Sequence, residues 1–97
     1  MNSIEIQELL NKLSNNEKPN IIDIRSPYEY KLSHIPTARN IDKNLLLNTP
    51  NQYLNKQETY YIYCQSGHTS KLLVDRLNNF GFSTVNITGG YNNYLLR

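Results

Sequence analysis

At 97 residues with a formal net charge of +2, the chain is sized for one domain, residues 1–97, around one modest core. Its ten Lys and Arg are scattered without a basic run, so no field that gathers polyanions is expected and nucleic acid is not an expected partner. No apolar stretch approaches the roughly 20 residues of a membrane span, and Met1-Asn2-Ser3-Ile4-Glu5 lacks the basic opening of a secretion signal; the expectation is a cytoplasmic protein without a membrane partner.

Short apolar runs alternate with helical stretches, which predicts an α/β domain: a mostly parallel central sheet of four or five strands with helices on both faces. Ile4, Ile6, Leu9, Leu10 and Leu13 recur at helical spacing, predicting an amphipathic helix over about 3–14. Pro19 closes the following loop, and Asn20-Ile21-Ile22-Asp23-Ile24 reads as a buried strand. Ser26-Pro27-Tyr28-Glu29 has the form of a capping box, with Ser26 as N-cap, Pro27 as first helical residue and Glu29 reaching back. Ser33-His34-Ile35-Pro36 turns the chain again, so that helix is short. His34 reads as a satisfied turn histidine.

Residues 41–56 predict one or two short helices, broken near Pro50. Thr59-Tyr60-Tyr61-Ile62-Tyr63 is β-branched and aromatic, hence a strand. After Cys64-Gln65-Ser66-Gly67-His68-Thr69-Ser70 comes an apolar helical pattern in Leu72, Leu73, Leu77 and Phe80. Gly81 fits the C′ position of that helix, with Phe82 folding back onto it. Ser83 to Ile87 is a last strand, Gly89-Gly90 a turn and Tyr91 to Leu96 a final short helix. The eight tyrosines have no basic residues interleaved among them and read as packing residues rather than a base-stacking surface.

Cys64 is the sole cysteine and there are two histidines. No internal disulfide can form, a closed zinc site would need carboxylates from elsewhere, and no metal or cofactor is expected. A free cysteine is most often a small buried apolar residue. The position of Cys64 argues for more than that. It stands at the carboxyl end of a strand, where ligand crevices form in open α/β sheets. The helix beginning near Ser70 directs unpaired N–H groups and its positive dipole end into the loop. That setting favours thiolate, the reactive form. Gly67 lets several N–H groups converge on one point. Gln65, Ser66, Gly67, His68, Thr69 and Ser70 are accordingly the expected substrate-binding cradle, and Cys64 the nucleophile.

These residues carry a resemblance. Cys64 to Ser70 is similar to the Cys-x-x-Gly-x-x-Ser loop of the rhodanese family of sulfurtransferases. Asp23-Ile24-Arg25-Ser26-Pro27-Tyr28-Glu29-Tyr30 resembles its Asp-x-Arg-x-x-x-Glu-Tyr segment, and Ser33 to Ile41 its Gly-His-Ile-Pro-Gly-Ala-x-Asn-Ile run. Gly89-Gly90-Tyr91, followed by Tyr94, stands where the family has Gly-Gly-Trp and another aromatic. The resemblance implies a single-domain rhodanese whose Cys64 cycles between thiolate and persulfide. Its expected partners are a small anionic sulfur donor such as thiosulfate and a thiol or cyanide acceptor, with a protein donor or acceptor as a further option. It also implies that Asp23 and Arg25 hold loops together as an ion pair.

Many members carry Arg directly after the Cys and again two residues after the loop Gly; this chain has Gln65 and Thr69, which cannot bind a sulfonate by charge. His68 adds charge when protonated, and Lys71 reads as a solvated first-turn lysine. A Cys-dependent phosphatase needs Arg six residues after its Cys to grip the phosphoryl oxygens. Here that residue is Ser70, so phosphatase and arsenate reductase chemistry lack their main electrostatic stabiliser. Two rivals to a thiosulfate-using enzyme remain: a persulfide carrier in a protein-to-protein sulfur relay, favoured by the uncharged Gln65 and Thr69, and a binding module without chemistry.

Overall fold

The computed structural model describes residues 2–97. In chain order the elements are β1 (Ser3–Ile4), α1 (Ile6–Ser14), β2 (Asn20–Asp23), α2 (Pro27–Leu32), β3 (Arg39–Asn40), α3 (Lys43–Asn48), a 3₁₀ turn (Pro50–Gln52), β4 (Thr59–Tyr63), α4 (His68–Asn79), β5 (Ser83–Ile87) and α5 (Gly90–Leu96). Five strands form one sheet in the order β1-β5-β4-β2-β3, and every pairing is parallel.

Strand alternation divides the core in two. Ile22 of β2 with Tyr60 and Ile62 of β4 point to one face, where Leu46 of α3 and Leu73, Val74 and Leu77 of α4 cover them. Ile21 and Tyr63 point to the other, against Leu9 of α1, Ile35, and Tyr91 and Tyr94 of α5. Continuing the alternation past β4 puts Cys64 on the α3/α4 face with Tyr60 and Ile62. The predicted three-layer α/β architecture is therefore present, with its sheet wholly parallel.

Local signals fall where the sequence puts them. Ser26 Oγ accepts from the Glu29 N–H at 3.2 Å and Glu29 Oε1 accepts from the Ser26 N–H at 3.2 Å, completing the capping box. At the end of α4 the Gly81 N–H reaches the Asn78 carbonyl at 3.0 Å and the Phe82 N–H the Leu77 carbonyl at 3.2 Å, the paired bonds of a Schellman ending. His34 Nδ1 lies 2.8 Å from the Tyr30 carbonyl, and its ring stacks on Tyr30 at 3.9 Å.

Three boundaries differ from expectation. The helix predicted over 3–14 starts at Ile6, because Ser3 and Ile4 form β1 beside Asn86 and Ile87. A two-residue strand is too short to show alternation, and Ile4 also fits the helical spacing of Ile6 and Leu9. Strand β3 carries no apolar run; Arg39 and Asn40 are held by pairing with Ile22 and Asp23. Helix α4 begins at His68 rather than near Ser70, with Gly67 as its N-cap at φ +89°. His68, Thr69 and Ser70 are thus its first turn, not loop.

Candidate active site

The turn from β4 into α4 wraps its amides around one sulfur. The Gly67 N–H points at Cys64 Sγ from 3.1 Å and the Ser70 N–H from 3.4 Å, while Ser70 Oγ lies 3.3 Å from it. The left-handed Gly67 backbone makes this curl possible. Gly67 is also the one residue that fits: a Cβ there would sit 2.8 Å from the backbone N of Gly89.

The start of α5 backs the same loop. Its Tyr91 and Asn92 N–H groups donate to the carbonyls of Cys64 and Gln65 at 2.9 and 3.0 Å. Approach this close needs glycine at position 90, where a Cβ would meet the Cys64 carbonyl oxygen at 2.3 Å. Gly89-Gly90 is therefore more than a turn, since it lets the α5 amides clamp the loop.

Cys64 is 8% exposed, yet it lines an open pocket of ≈ 340 Å³ with Arg25, Glu29, Asp42, Lys43, Gln65 and Thr69 among its walls. Burial pushes the thiol pKa up. Hydrogen bonding to Ser70 and to the N–H groups of Gly67 and Ser66 pulls it down, and the net direction is down. Alkylation by iodoacetamide should therefore show a midpoint below that of a cysteine peptide, whose value is about 8.5. The sign follows directly: a lowered pKa raises the thiolate fraction at every pH below the midpoint, and the rate falls as pH drops through that lowered midpoint. A midpoint at or above the peptide's overturns the expectation.

Of the residues anticipated from sequence, Gly67 and Ser70 hold the sulfur from behind, and Gln65, Ser66 and Thr69 line the pocket. The Gln65 amide is tied on both sides, accepting from Arg25 Nη1 at 3.4 Å and donating to Asn92 Oδ1 at 2.6 Å. His68 stands apart. It is exposed and lines an adjoining pocket with Ser66, Lys71 and Asp75 rather than the one that holds Cys64. Lys71 is likewise exposed.

Asp23 and Arg25 do form an ion pair, at 2.9 Å between Nη2 and Oδ2. Asp23 also accepts from the Arg25 N–H at 2.8 Å and from the Tyr63 hydroxyl at 2.6 Å. Arg25 goes on to the Ser33 carbonyl at 2.6 Å, and its guanidinium lies 3.9 Å over the Tyr91 ring. Burial alone lowers the Arg25 pKa, but hydrogen bonding to Asp23 and the carboxylate's charge outweigh it and keep the group protonated. Burial, then the bond to Asp23, pushes the Tyr63 phenol far above its ordinary range. The ion pair thus joins β2, the turn at Ser33, Tyr63 and Gln65 behind the pocket.

Sequence reasoning missed Tyr63 and Asn40 as members of this frame; Asn40 Nδ2 donates to the Asp23 and Arg25 carbonyls at 3.0 and 2.9 Å. It also missed Asn86, which bonds Ser70 and Gly67 from β5. The signal for Asn86 was an amide set between the apolar, β-branched Val85 and Ile87 at the carboxyl end of a strand. Among the described residues, no helix is long and apolar enough to cross a membrane, and no group of three His, Cys, Asp or Glu is placed to hold a metal ion.

Comparison with known proteins agrees with this fold. A rhodanese-like domain protein of Staphylococcus aureus superimposes with a TM-score of 0.87 at 35% identity, covering 97% of this chain and 91% of that one. The adenylyltransferase and sulfurtransferase uba4 of Ogataea parapolymorpha is 30% identical over 80 residues, 81% of this chain and 21% of that protein. A putative sulfur carrier protein of Bacillus subtilis, YrkF, is 30% identical over 82 residues, 84% of this chain and 44% of that protein. The chain spans less than half the length of either of these two relatives. Residues 5–97 match the family model of the rhodanese-like domain, and with the parallel sheet and the amide-lined cysteine loop already in view, the chain belongs to the rhodanese-like domain family.

Proposed function

We propose that the protein is a sulfurtransferase in which Cys64 accepts a sulfane sulfur and passes it on. The observation that carries this reading is the convergence of the Gly67 and Ser70 N–H groups on Cys64 Sγ at 3.1 and 3.4 Å. Fixed amides stabilise a sulfur anion without moving a proton, and the pocket opens that sulfur to an incoming donor. With thiosulfate, the Cys64 thiolate attacks the outer sulfur, the S–S bond of the donor breaks, and sulfite leaves with the electron pair. Cyanide then attacks the terminal sulfur of the persulfide and departs as thiocyanate, returning the thiolate. Two displacements through one covalent intermediate predict ping-pong kinetics.

A second reading is favoured by the pocket's charge. Arg25 and Lys43 are matched there by Glu29 and Asp42, and Arg25 is already engaged by Asp23. A doubly anionic donor gains little from such a mouth, whereas a persulfide delivered by a protein needs no charge to hold it. A persulfide carrier in a protein relay has this character, and the similar proteins include one named a sulfurtransferase and one named a putative sulfur carrier.

Intact mass spectrometry tests both. After incubation with thiosulfate, or with a persulfide-loaded cysteine desulfurase, the protein should gain the mass of one sulfur atom and lose it on cyanide treatment. Loading by both donors with fast turnover of thiosulfate marks the enzyme, and loading by the protein donor alone marks the carrier. No gain with either donor rejects the proposal and leaves a binding module.

A further inference from the structure

Asn86 bonds the hydroxyl that stands next to the sulfur. It is buried, 6% exposed, on β5 beside Ile62 of β4, so it faces α4 on the side of the sheet that carries Cys64. Its Nδ2 donates to the Gly67 carbonyl at 3.2 Å, and its Oδ1 accepts from Ser70 Oγ at 2.5 Å. The Gly67 carbonyl also receives the Lys71 N–H at 3.2 Å, closing the first turn of α4. A carbonyl can only accept, so the Asn86 amide cannot be flipped: the NH₂ must face Gly67 and the oxygen must face Ser70.

Ser70 has one hydroxyl proton, and this arrangement commits it to Asn86. What Ser70 presents to Cys64 across 3.3 Å is then an oxygen lone pair. We propose that Asn86 is a positioning residue that holds the Ser70 hydroxyl proton on its own carbonyl and keeps it off the Cys64 sulfur. The neutral thiol donates S–H to Ser70 Oγ. When that proton leaves to solvent, the thiolate is held by backbone amides alone, because turning the hydroxyl toward sulfur would strip a buried amide oxygen of its donor.

Such an arrangement suits a sulfur whose charge comes and goes. Thiolate nucleophilicity falls as the thiol pKa falls, so withholding one donor keeps the attacking sulfur strong. In the persulfide the inner sulfur is uncharged and needs no donor, and a hydroxyl already bound to Asn86 has no reorientation to make. This consequence rests on the sulfurtransferase reading; the placement of the proton does not.

The test measures the thiol pKa of the unmodified protein from the pH profile of alkylation. It uses four proteins: the parent, Asn86→Ala, Ser70→Ala and the double variant. The charged and titratable groups around the loop are Arg25 and Glu29 after β2, Asp42 and Lys43 at the start of α3, and His68, Lys71 and Asp75 on α4. All seven are common to the four proteins and cancel in the comparison. Asn86→Ala frees the hydroxyl to donate to thiolate and should lower the pKa by about one unit, a tenfold gain in thiolate below the midpoint. Ser70→Ala should produce no rise, and in its background Asn86→Ala should move the pKa by less than about a third of a unit.

A rise of about one unit in Ser70→Ala overturns the proposal, since the hydroxyl must then have been serving the sulfur. An Asn86→Ala shift that persists without Ser70 also overturns it, because a loosened loop would act whether or not the hydroxyl is present. Should Asn86→Ala fail to fold, Ser70→Ala decides the matter alone. The readout needs no sulfur donor, so its failure and a failure of the transfer reading are separate results.

Discussion

Cys64→Ser should take up no sulfur from any donor and catalyse no detectable transfer, while unfolding close to the parent. The loss is complete because the sulfur is the intermediate itself, and a serine hydroxyl is neither ionised at neutral pH nor able to form a persulfide. Stability should survive because what surrounds the side chain is polar on the loop side. The Gly67 and Ser70 N–H groups that face Sγ will donate to a smaller oxygen through modest adjustment. Against this, Cys64 packs on its other side with Ile62 and Leu73 in the core cluster, so a loss of about 1 kcal/mol is expected from the smaller side chain. Urea unfolding with intact-mass analysis checks both halves. A loss above about 2 kcal/mol would mark the thiol as a packing residue first, and residual sulfur loading in the variant would move the nucleophile elsewhere.

Asp23→Ala should be the most damaging substitution for stability, by about 3–5 kcal/mol. The side chain is wholly buried and supplies the acceptors for the Arg25 guanidinium, the Arg25 N–H and the Tyr63 hydroxyl. Its removal leaves a cation almost without solvent, since the Arg25 side chain is only 4% exposed, and leaves the Tyr63 hydroxyl to the Ile35 N–H, which donates to it at 3.1 Å. That cost is a large fraction of the 5–15 kcal/mol typical of a domain. Replacing the side chains by apolar residues of similar size, with Asp23→Leu, Arg25→Met and Tyr63→Phe together, should recover only part of it, because the Arg25 and Ile35 N–H groups then lose their acceptors. Denaturant midpoints of the single and triple variants decide the question. A single variant within about 1 kcal/mol of the parent would mean that water reaches the guanidinium and the pair is not holding the frame.

Both expectations depend on features that differ in how openly the sequence displays them. The capping box at Ser26 and Glu29, the Schellman ending at Gly81 and Phe82 and the strand at Thr59–Tyr63 were legible, because each is written within a few neighbouring residues. The Cys64 loop was legible for the same reason: strand, cysteine, glycine and helix follow one another without a gap. Strands β1 and β3 were not, since two residues carry no period and exist through the partner strand that pairs with them. His68 was grouped with the cradle by adjacency, but the first turn of α4 rotates successive side chains by about 100° and carries it round to the neighbouring pocket.

By itself the order of residues determined the α/β layering, the elements around the loop and the cysteine at the carboxyl end of a strand, since these are matters of local spacing and alternation. Only the tertiary structure decided that Asn86, Tyr63 and Asn40 serve that loop and its frame. They lie 22 residues beyond, next to and 24 residues before Cys64 in the chain, and parallel strands bring such distant positions side by side through crossovers whose register no short segment encodes. What a hydroxyl or a buried carboxylate does depends on which groups that register places within about 3 Å of it.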